Sequence, residues 1–332
     1  MKKLTILITA LICCGAIFST HQNAKDPEAN VADLLAELGE NRPDHYLENI
    51  TPEMIKRGED IIKIGKTIGP DGKSSKYVSK YYTCTSCHNV SREDLNLNKV
   101  DQDERLDYAI ANKLPYLQGS TFWGIVNRET WYNDDYVLKY GDLVRKAEHS
   151  LKESTHLCAT VCAQGRPLAD WEMESVLAYY WSLQMKVKDL GFSDSELSSI
   201  ENSKMTNEAK IALIKSKYLQ KSPATFAEEP EDKKKGYAHE GNPELGKAIY
   251  ELGCQHCHRP NGESDVVFEN NDLTYKWLVK HIPDNSDLSI YHIIRKGTYA
   301  EYGHKEYMPH YTLEKMSHQQ VEHLRAFLEN PF

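Results

Sequence analysis

Six of the eight cysteines of this chain stand in three close pairs, and this distribution constrains the fold more than any other feature. The pairs are Cys84/Cys87, Cys158/Cys162 and Cys254/Cys257. A histidine follows the first pair directly, as His88, and another follows the third pair, as His258. The chain therefore holds two copies of a C-x-x-C-H motif and one cysteine pair of a different kind.

The C-x-x-C-H motif has the spacing of c-type haem attachment. One helical turn presents both thiols to the two vinyl groups of a porphyrin, and the histidine that follows can ligate the iron. Two motifs predict two covalently bound haem c groups as cofactors. The predicted attachment and ligand residues are Cys84, Cys87, His88, Cys254, Cys257 and His258.

The N-terminal segment, residues 1–20, predicts an export signal. Two lysines precede an apolar run from Leu4 to Ile12, which is too short to remain as a membrane span. Cleavage before Cys13 or Cys14 would leave a lipid-anchored protein, and cleavage elsewhere would release it. We therefore expect a protein of the periplasm or cell envelope, lipid-anchored or free, with residues 21–45 as a linker.

Length and charge narrow the possible partners. The chain has 332 residues, which is enough for two domains, and a net charge of −9 without any basic run. This composition argues against nucleic-acid binding. We expect redox proteins as electron donor and acceptor, and membrane contact only through a lipid anchor.

Residues 241–332 form the second of two predicted helical domains. Asn242 and Pro243 are typical of a helix start, and a closing amphipathic helix follows Ser317. This region resembles a class I cytochrome c domain, in which the opening helix supplies a glycine and the closing helix supplies aromatic and apolar residues where the two cross. Gly246 and Phe327 match these roles.

The same resemblance implies a sixth iron ligand for the second haem. In that family a methionine before a proline ligates the iron, and Met308 precedes Pro309 here. His304 and His310 are alternative ligands, because imidazole also binds haem iron.

Residues 46–190 form the first predicted domain, and residues 191–240 a helical, charged linker. Thr51 and Pro52 predict the start of its opening helix. From Asn89 to Glu172 the sequence contains no methionine, so a different residue must supply a sixth ligand. The whole pattern predicts an all-α fold of two cytochrome c domains joined by a helical linker.

One segment of the first domain carries a second resemblance. The stretch CATVCAQGRPLADWEMESVLAYYWSL is similar to the segment after the first haem in dihaem thiosulfate dehydrogenases, and Sox cytochromes also place a cysteine on haem iron. The matching positions are Cys158, Gly165, Arg166, Glu172, Met173, Ala178 and Tyr179. The resemblance implies Cys158 as the sixth ligand of the first haem. It also implies Arg166 as a residue that helps to hold an anionic sulfur substrate such as thiosulfate.

Four interpretations of the middle cysteine pair stay open at this point. Cys158 ligates the iron; Cys162 ligates it; the two form a structural disulfide, with His149 or His156 as the ligand; or the pair belongs to a further haem or metal site. The aromatic residues of TFWGIVNRETWYNDDY are expected to cover a haem edge or fill the core.

Two functions are compatible with these motifs. The first is an exported dihaem electron carrier. The second is an oxidoreductase resembling thiosulfate dehydrogenase, in which Cys158 and Arg166 would act at the first haem and thiosulfate would be joined into tetrathionate.

Overall fold

The computed structural model describes residues 26–202, 204–284, 288–298 and 307–331. Within these ranges the chain is all-α: it contains helices, turns and two isolated bridges, and no strand. The predicted fold class is therefore confirmed. The signal segment with Cys13 and Cys14, and the alternative ligand His304, lie outside the described residues.

The helices follow one another in this order. They are α1 (Val31–Glu37), α2 (Pro52–Ile64), α3 (Gln102–Asn112), α4 (Asp134–Tyr140), α5 (Asp142–Arg145), α6 (Leu151–Leu157), α7 (Asp170–Ser182), α8 (Asp194–Glu201), α9 (Asn207–Lys215), α10 (Pro243–Ile249), α11 (Gln255–Cys257), α12 (Asp272–His281), α13 (Ile290–Lys296) and α14 (His318–Glu329). Two π-helical turns continue α6 and α10, at Cys158–Cys162 and Tyr250–Cys254.

In the first domain α2 crosses α7 at a glycine. A Cβ atom on Gly58 would lie 1.9 Å from the backbone oxygen of Ser175 and 2.8 Å from the Cβ of Tyr179. The two backbones can approach this closely only because Gly58 has no side chain. Thr51 caps α2, accepting a hydrogen bond from the Met54 amide, as the sequence predicts.

In the second domain α10 crosses α14 in the same way. A Cβ atom on Gly246 would lie 1.9 Å from the backbone oxygen of His323 and 2.8 Å from the Cβ of Phe327. Asn242 caps α10 and Ser317 caps α14, as the sequence predicts. The same close packing of two helices at a glycine therefore occurs in both domains.

Besides the cores of the two domains, a hydrophobic cluster joins the two segments that the sequence predicts to be linkers. Helix α1, within residues 21–45, buries Val31, Leu34 and Leu35. These side chains pack with Ile200 of α8 and Ile214 of α9, which lie within residues 191–240. Both segments thus contain packed helices as well as connecting chain. None of the helices described is long and apolar enough to span a membrane.

The two domains contact each other through residues 90–118, which we name the proximal insert because they lie between His88 and the residues that hold its ring. Its helix α3 and Tyr116 belong to the hydrophobic core of the second domain. The Tyr116 amide donates to the Leu252 carbonyl oxygen at 2.9 Å, and the Tyr311 hydroxyl donates to the Tyr116 carbonyl oxygen at 2.9 Å.

A buried ion-pair network lies at the same contact. Glu93 of the proximal insert lies 3.4 Å from Arg105 Nε and 3.1 Å from Lys315 Nζ, and Lys315 belongs to the second domain. The Glu93 side chain is 3% exposed. The insert therefore ties the first domain to the second by both apolar and charged contacts.

Candidate functional site

The second C-x-x-C-H motif begins on the π-helical turn after α10 and holds its histidine by two contacts. His258 Nδ1 lies 2.8 Å from the Val266 carbonyl oxygen, so this nitrogen carries the proton and donates. The ring stacks on Phe268, with centroids 4.2 Å apart and planes 12° apart. Burial lowers the pKa of His258, which favours the neutral ring that ligates iron through Nε2.

A cavity lies beside this motif. Cys254, Cys257 and His258 line it, and Met308 lies on its wall as well. The Met308 amide donates to Thr298 Oγ1 at 2.6 Å, which fixes the backbone of the ligand loop. These residues fit a covalently bound haem with His258 and Met308 as axial ligands.

The alternative ligand His310 does not line this cavity. Its ring contacts Phe226, with centroids 5.0 Å apart. Burial lowers the pKa of His310 to about 4. The geometry therefore favours Met308 over His310 as the sixth ligand of the second site.

The first motif holds its histidine in the same arrangement. His88 Nδ1 lies 2.6 Å from the Ser120 carbonyl oxygen and therefore donates to it. The ring stacks on Phe122, with centroids 4.6 Å apart and planes 19° apart. Burial lowers the pKa of His88, although the Ser120 carbonyl acts in the opposite direction, so the neutral ring with a free Nε2 is again favoured.

A glycine permits the close chain approach at each motif. A Cβ atom on Gly119 would lie 2.5 Å from the Cys87 carbonyl oxygen, and one on Gly262 would lie 2.3 Å from the Cys257 carbonyl oxygen. On the side of the ligating histidine the two sites are thus built alike. The residues of the first motif therefore fit a covalent haem by the same criteria as those of the second.

The middle cysteine pair faces the first motif. Cys158 and Cys162 are free, half-buried thiols on the π-helical turn after α6. The thiols of Cys84 and Cys87 are among the groups that act electrostatically on Cys158, and Cys162 acts on Cys87. The structure therefore brings both predicted alternatives, Cys158 and Cys162, to the site of the first haem.

The two sulfur atoms are hydrogen-bonded to each other. The Cys158 thiol donates to the Cys162 sulfur; this bond, together with burial, raises the pKa of Cys158, and the same bond lowers the pKa of Cys162 against the effect of burial. Tyr132 and Tyr136 lie close by, and the neighbouring sulfur charges help burial to raise their pKa values. Two residues of the aromatic segment between the first motif and the pair therefore lie near these sulfurs.

The alternative histidine ligand His149 points away from the site. Its side chain is 70% exposed, and Nε2 lies 3.6 Å from the Glu148 carboxylate. This exposure disfavours His149 as an iron ligand.

The expected role of Arg166 in holding an anion is not supported by the geometry. Its guanidinium donates to Glu172 at 2.6 and 2.7 Å, in a bidentate ion pair. The remaining donors bond to the carbonyl oxygens of Lys76, Tyr77 and Pro167. Because all five N–H groups have partners inside the protein, Arg166 fixes the chain before α7 and has no donor left for a substrate.

The two motifs contact each other. Cys257 Sγ lies 3.8 Å from the Ser86 carbonyl oxygen, and His256 Nε2 lies 3.3 Å from the Thr85 carbonyl oxygen. Ser86 Oγ donates to Glu263 at 3.3 Å. Cys87 also lines the cavity of the second motif. The two candidate haem sites therefore adjoin each other through their attachment segments.

A comparison with protein families identifies the region that contains the second motif. Residues 243–331 match the family model described as cytochrome c. The chain thus contains a C-terminal cytochrome c domain, a class that binds haem c covalently and transfers electrons. No curated protein and no solved structure matches the chain.

Sequence reasoning missed several residues of the first site. Gly58, Gly119, Ser120 and Phe122 position the first motif but carry no local signature. Ser120 lies 32 positions after His88, whereas Val266 lies 8 after His258. The signal that could have found Gly58 is its place in an apolar helix stripe that matches Gly246 in the other domain.

Proposed function

We propose that the protein is an exported dihaem cytochrome c, which passes electrons between two covalently attached haems and onward to redox partner proteins. The observation that carries this proposal is the repeated histidine arrangement at the two motifs, which contact each other. A single motif could arise by chance, but the same ring contacts and the same helix crossing at both support the proposal that one haem-domain packing is used twice.

The contact between the motifs supports electron exchange inside the molecule. Each haem would be bonded to the cysteines of its motif, so adjoining motifs bring the haems near each other. A bound haem supplies the one-electron Fe(III)/Fe(II) couple. The chain would contribute two neutral imidazoles, a thioether at Met308 and, on the other haem, Cys158, whose thiol would lose its proton on binding the iron.

The two haems would have different sixth ligands, and this difference sets the direction of electron transfer between them. Methionine ligation raises the reduction potential of a haem, whereas a thiolate donates charge to the iron and lowers it. Electrons therefore move from the first haem to the second, and leave from the cytochrome c domain. The donor of the first haem is a protein or a small reductant that reaches the side of Cys158.

An export signal and a cell-envelope location complete the proposal. Covalent haem attachment at C-x-x-C-H and the apolar segment after Lys2 and Lys3 both suit a protein matured outside the cytoplasm. We propose that the chain is held at the membrane surface by lipid on Cys13 or Cys14, or is released. Intact mass of the protein from the native host distinguishes these states.

The haem count is tested by intact mass and haem absorbance of the holoprotein. We expect two haem additions in the wild type, and one in each of the paired variants Cys84→Ser/Cys87→Ser and Cys254→Ser/Cys257→Ser. A single haem in the wild type would overturn the proposal. Because the paired variants are matched, they also show which haem contributes which spectral signal.

The ligand assignment is tested by low-temperature EPR of the oxidised protein. We expect a thiolate-type low-spin signal that Cys158→Ala abolishes, and a histidine–methionine signal that Met308→Ala abolishes. Cys162→Ala is the matched control and leaves both signals in place. A histidine–histidine signal that is unchanged in Cys158→Ala would contradict the assignment of Cys158.

Thiosulfate oxidation is the second candidate function, and the position of Cys158 at the first motif is the observation that favours it. The full engagement of Arg166 counts against it, because the expected anion ligand is occupied. Anaerobic addition of thiosulfate separates the two functions. Prompt haem reduction with formation of tetrathionate would support the enzyme, whereas reduction by protein donors alone supports the carrier.

A further inference from the structure

The loop that carries Met308 contacts the first domain at several points. We name residues 307–316 the ligand loop. The Tyr82 hydroxyl, in the first domain, donates to the Tyr307 carbonyl oxygen at 3.0 Å, directly before Met308. Further along the loop, the Tyr311 hydroxyl donates at 2.9 Å to a carbonyl oxygen of the proximal insert. The position of the ligand loop therefore depends on how the first domain is docked.

A segment of the predicted linker runs along the first domain beside this loop. We name residues 219–229 the strap. Its first half is bound to the first domain by hydrogen bonds of 2.7–3.1 Å. They join the Leu219 amide to the Leu97 carbonyl, the Glu129 amide to the Gln220 carbonyl, the Arg128 guanidinium to Ser222 Oγ, and Asn133 Nδ2 to the Ala224 carbonyl. The strap is therefore fixed to the first domain.

The strap also contacts the ligand loop. The Phe226 ring packs on His310, with centroids 5.0 Å apart. The Leu313 amide donates to the Thr225 carbonyl oxygen at 3.0 Å. The amide and the hydroxyl of Thr225 each donate to the Glu314 carboxylate at 2.8 Å. These contacts begin two positions after the methionine that lines the cavity of the second motif.

Phe226 lies between the ligand loop and α4 of the first domain. Its ring contacts Tyr136, with centroids 4.9 Å apart, and Tyr140, with centroids 5.9 Å apart. Lys139 Nζ lies 4.1 Å from the centroid of the same ring. The described residues that line the cavity of the second motif do not include Phe226. Any effect of this ring on the second site therefore runs through the ligand loop.

A methionine ligand depends on such supporting contacts. A thioether carries no charge, and the methionine side chain is flexible, so the surrounding chain must keep the sulfur in place. Contacts behind a ligand orient it, and their loss weakens its bond to the metal. When the loop opens, the sixth position becomes accessible to another ligand. The fraction of molecules with an open loop then sets the apparent affinity for that ligand.

We infer that the first domain, acting through the strap, holds Met308 on the iron of the second haem. The inference rests on the proposed ligation by Met308 and adds Phe226 and Asn133 to it as positioning residues. Methionine ligation raises the reduction potential of a haem. The second haem is therefore a good electron acceptor while the two domains are docked, and a poorer one when the strap is loosened.

Displacement of Met308 by imidazole tests the inference on the oxidised, full-length holoprotein. The methionine-to-iron charge-transfer absorption band reports on the second haem alone, because a haem with a cysteine or histidine as sixth ligand lacks it. We expect imidazole to abolish the band at about tenfold lower concentration in Phe226→Ala than in wild type, because the loop opens more often. Phe226→Tyr keeps the ring and should behave as wild type.

A variant in the first domain tests transmission through the strap. Asn133 caps α4 by accepting from the Tyr136 amide, and its Nδ2 donates to the Ala224 carbonyl oxygen at 2.7 Å. Asn133→Asp keeps the capping oxygen and loses the donor. We expect about threefold tighter imidazole binding, the effect of one hydrogen bond, and a lower potential of the second haem in a spectroelectrochemical titration.

Tyr275→Phe is the matched control in the second domain. It removes a hydroxyl that donates to Asn270 at 3.1 Å, a hydrogen bond that does not involve the ligand loop. Its imidazole affinity and potential should equal those of wild type. The same shift in Tyr275→Phe and Phe226→Ala would overturn the inference, because general destabilisation would then explain both. If Phe226→Ala does not fold, Asn133→Asp decides alone.

The wild-type spectrum separates this inference from the proposed function. A wild type without the methionine band would refute Met308 as a ligand and the inference with it. A clear wild-type band with equal imidazole affinity in wild type, Phe226→Ala and Asn133→Asp would refute the inference alone. The intact mass of the same samples counts the haems, so a protein with one haem at the second motif would refute only the dihaem proposal.

Discussion

The two domains that carry C-x-x-C-H motifs share one side of their candidate sites and differ on the other. Each has a helix crossing at a glycine, and at the ligating histidine each has a backbone carbonyl on the imidazole Nδ1 and a phenylalanine against the ring. On the opposite side, the second domain presents Met308 and the first presents Cys158 and Cys162. The side of the histidine is therefore alike in the two domains, and the opposite side differs.

The domains also differ in the length of chain between the motif and the carbonyl that holds its histidine. In the first domain 32 positions separate His88 from Ser120, against 8 from His258 to Val266 in the second. The extra chain is the proximal insert, and most of it packs against the second domain, while Gln118 at its end contacts Cys87 of the first motif. In the second domain this loop holds the histidine ring. In the first domain the corresponding, longer loop also packs against the second domain.

The largest expected effect comes from the charge network of the proximal insert. Glu93→Gln should reduce the free energy of unfolding by about 3–5 kcal/mol, because Arg105 and Lys315 remain buried without their partner. Denaturant unfolding should resolve two transitions in place of one. Glu172→Gln is the matched control: it breaks the Arg166 pair inside the first domain and should leave the second domain unaffected. Equal effects of both variants on the second domain would contradict this role of the insert.

Acid should weaken the same contact. Burial favours the neutral form of Glu93, but Lys315 and Arg105 outweigh it and lower its pKa from 4.5 to about 2. Because the pKa of Glu93 is lower in the folded protein, its charge stabilises the fold at pH values above the unfolded-state pKa. This stability is lost as the pH falls from about 4.5 to 2. Unfolding followed over this range should show the loss in wild type and a smaller one in Glu93→Gln. Identical acid profiles would refute the assignment to Glu93.

The repeated helix crossing predicts equal sensitivity in both domains. Gly58→Ala and Gly246→Ala each place a Cβ atom 1.9 Å from a backbone oxygen, so the helices must move apart. We expect each to cost about 3 kcal/mol in the free energy of unfolding. Gly72→Ala is the control: its Cβ atom meets nothing within 4 Å, so only its backbone conformation at φ +77° adds a cost, of about 1–2 kcal/mol. Unequal losses at Gly58 and Gly246 would show that the crossings are not equivalent.

The smallest expected effects come from the rings that stack on the histidines. Phe268→Leu should cost about 0.5–1.5 kcal/mol through the lost aromatic contact with His258. Phe122→Leu should cost more, because Phe122 is buried and also packs on Tyr180 at 4.9 Å. Thermal unfolding followed by haem absorbance measures both. A larger loss of stability in Phe268→Leu than in Phe122→Leu would contradict this expected order.

Local signals explain which features were predictable from the sequence. Thr51, Asn242 and Ser317 cap helices at the expected positions, because capping depends on a few neighbouring residues. The C-x-x-C-H motifs and the methionine before a proline are equally local. They identified the candidate attachment residues and Met308.

Features that depend on distant contacts could not be predicted in this way. The pairing of Arg166 with Glu172 follows from the turn before α7 and from the carbonyls of residues 76 and 77, far away in the chain. The packing of α1 on α8 and α9 likewise depends on chain segments more than a hundred residues apart. No periodicity within one segment reports such contacts.

The contact between the attachment segments has a consequence for how the protein matures. Thr85, Ser86 and Cys257 face each other across the two motifs, so each motif is partly covered by the other in the folded chain. With haem at both motifs, as proposed, the thioether bonds would form while the chain is still open, before the proximal insert docks. A chain with haem at one motif alone would then close around an incomplete neighbour, so haem attachment would be coupled to the final step of folding.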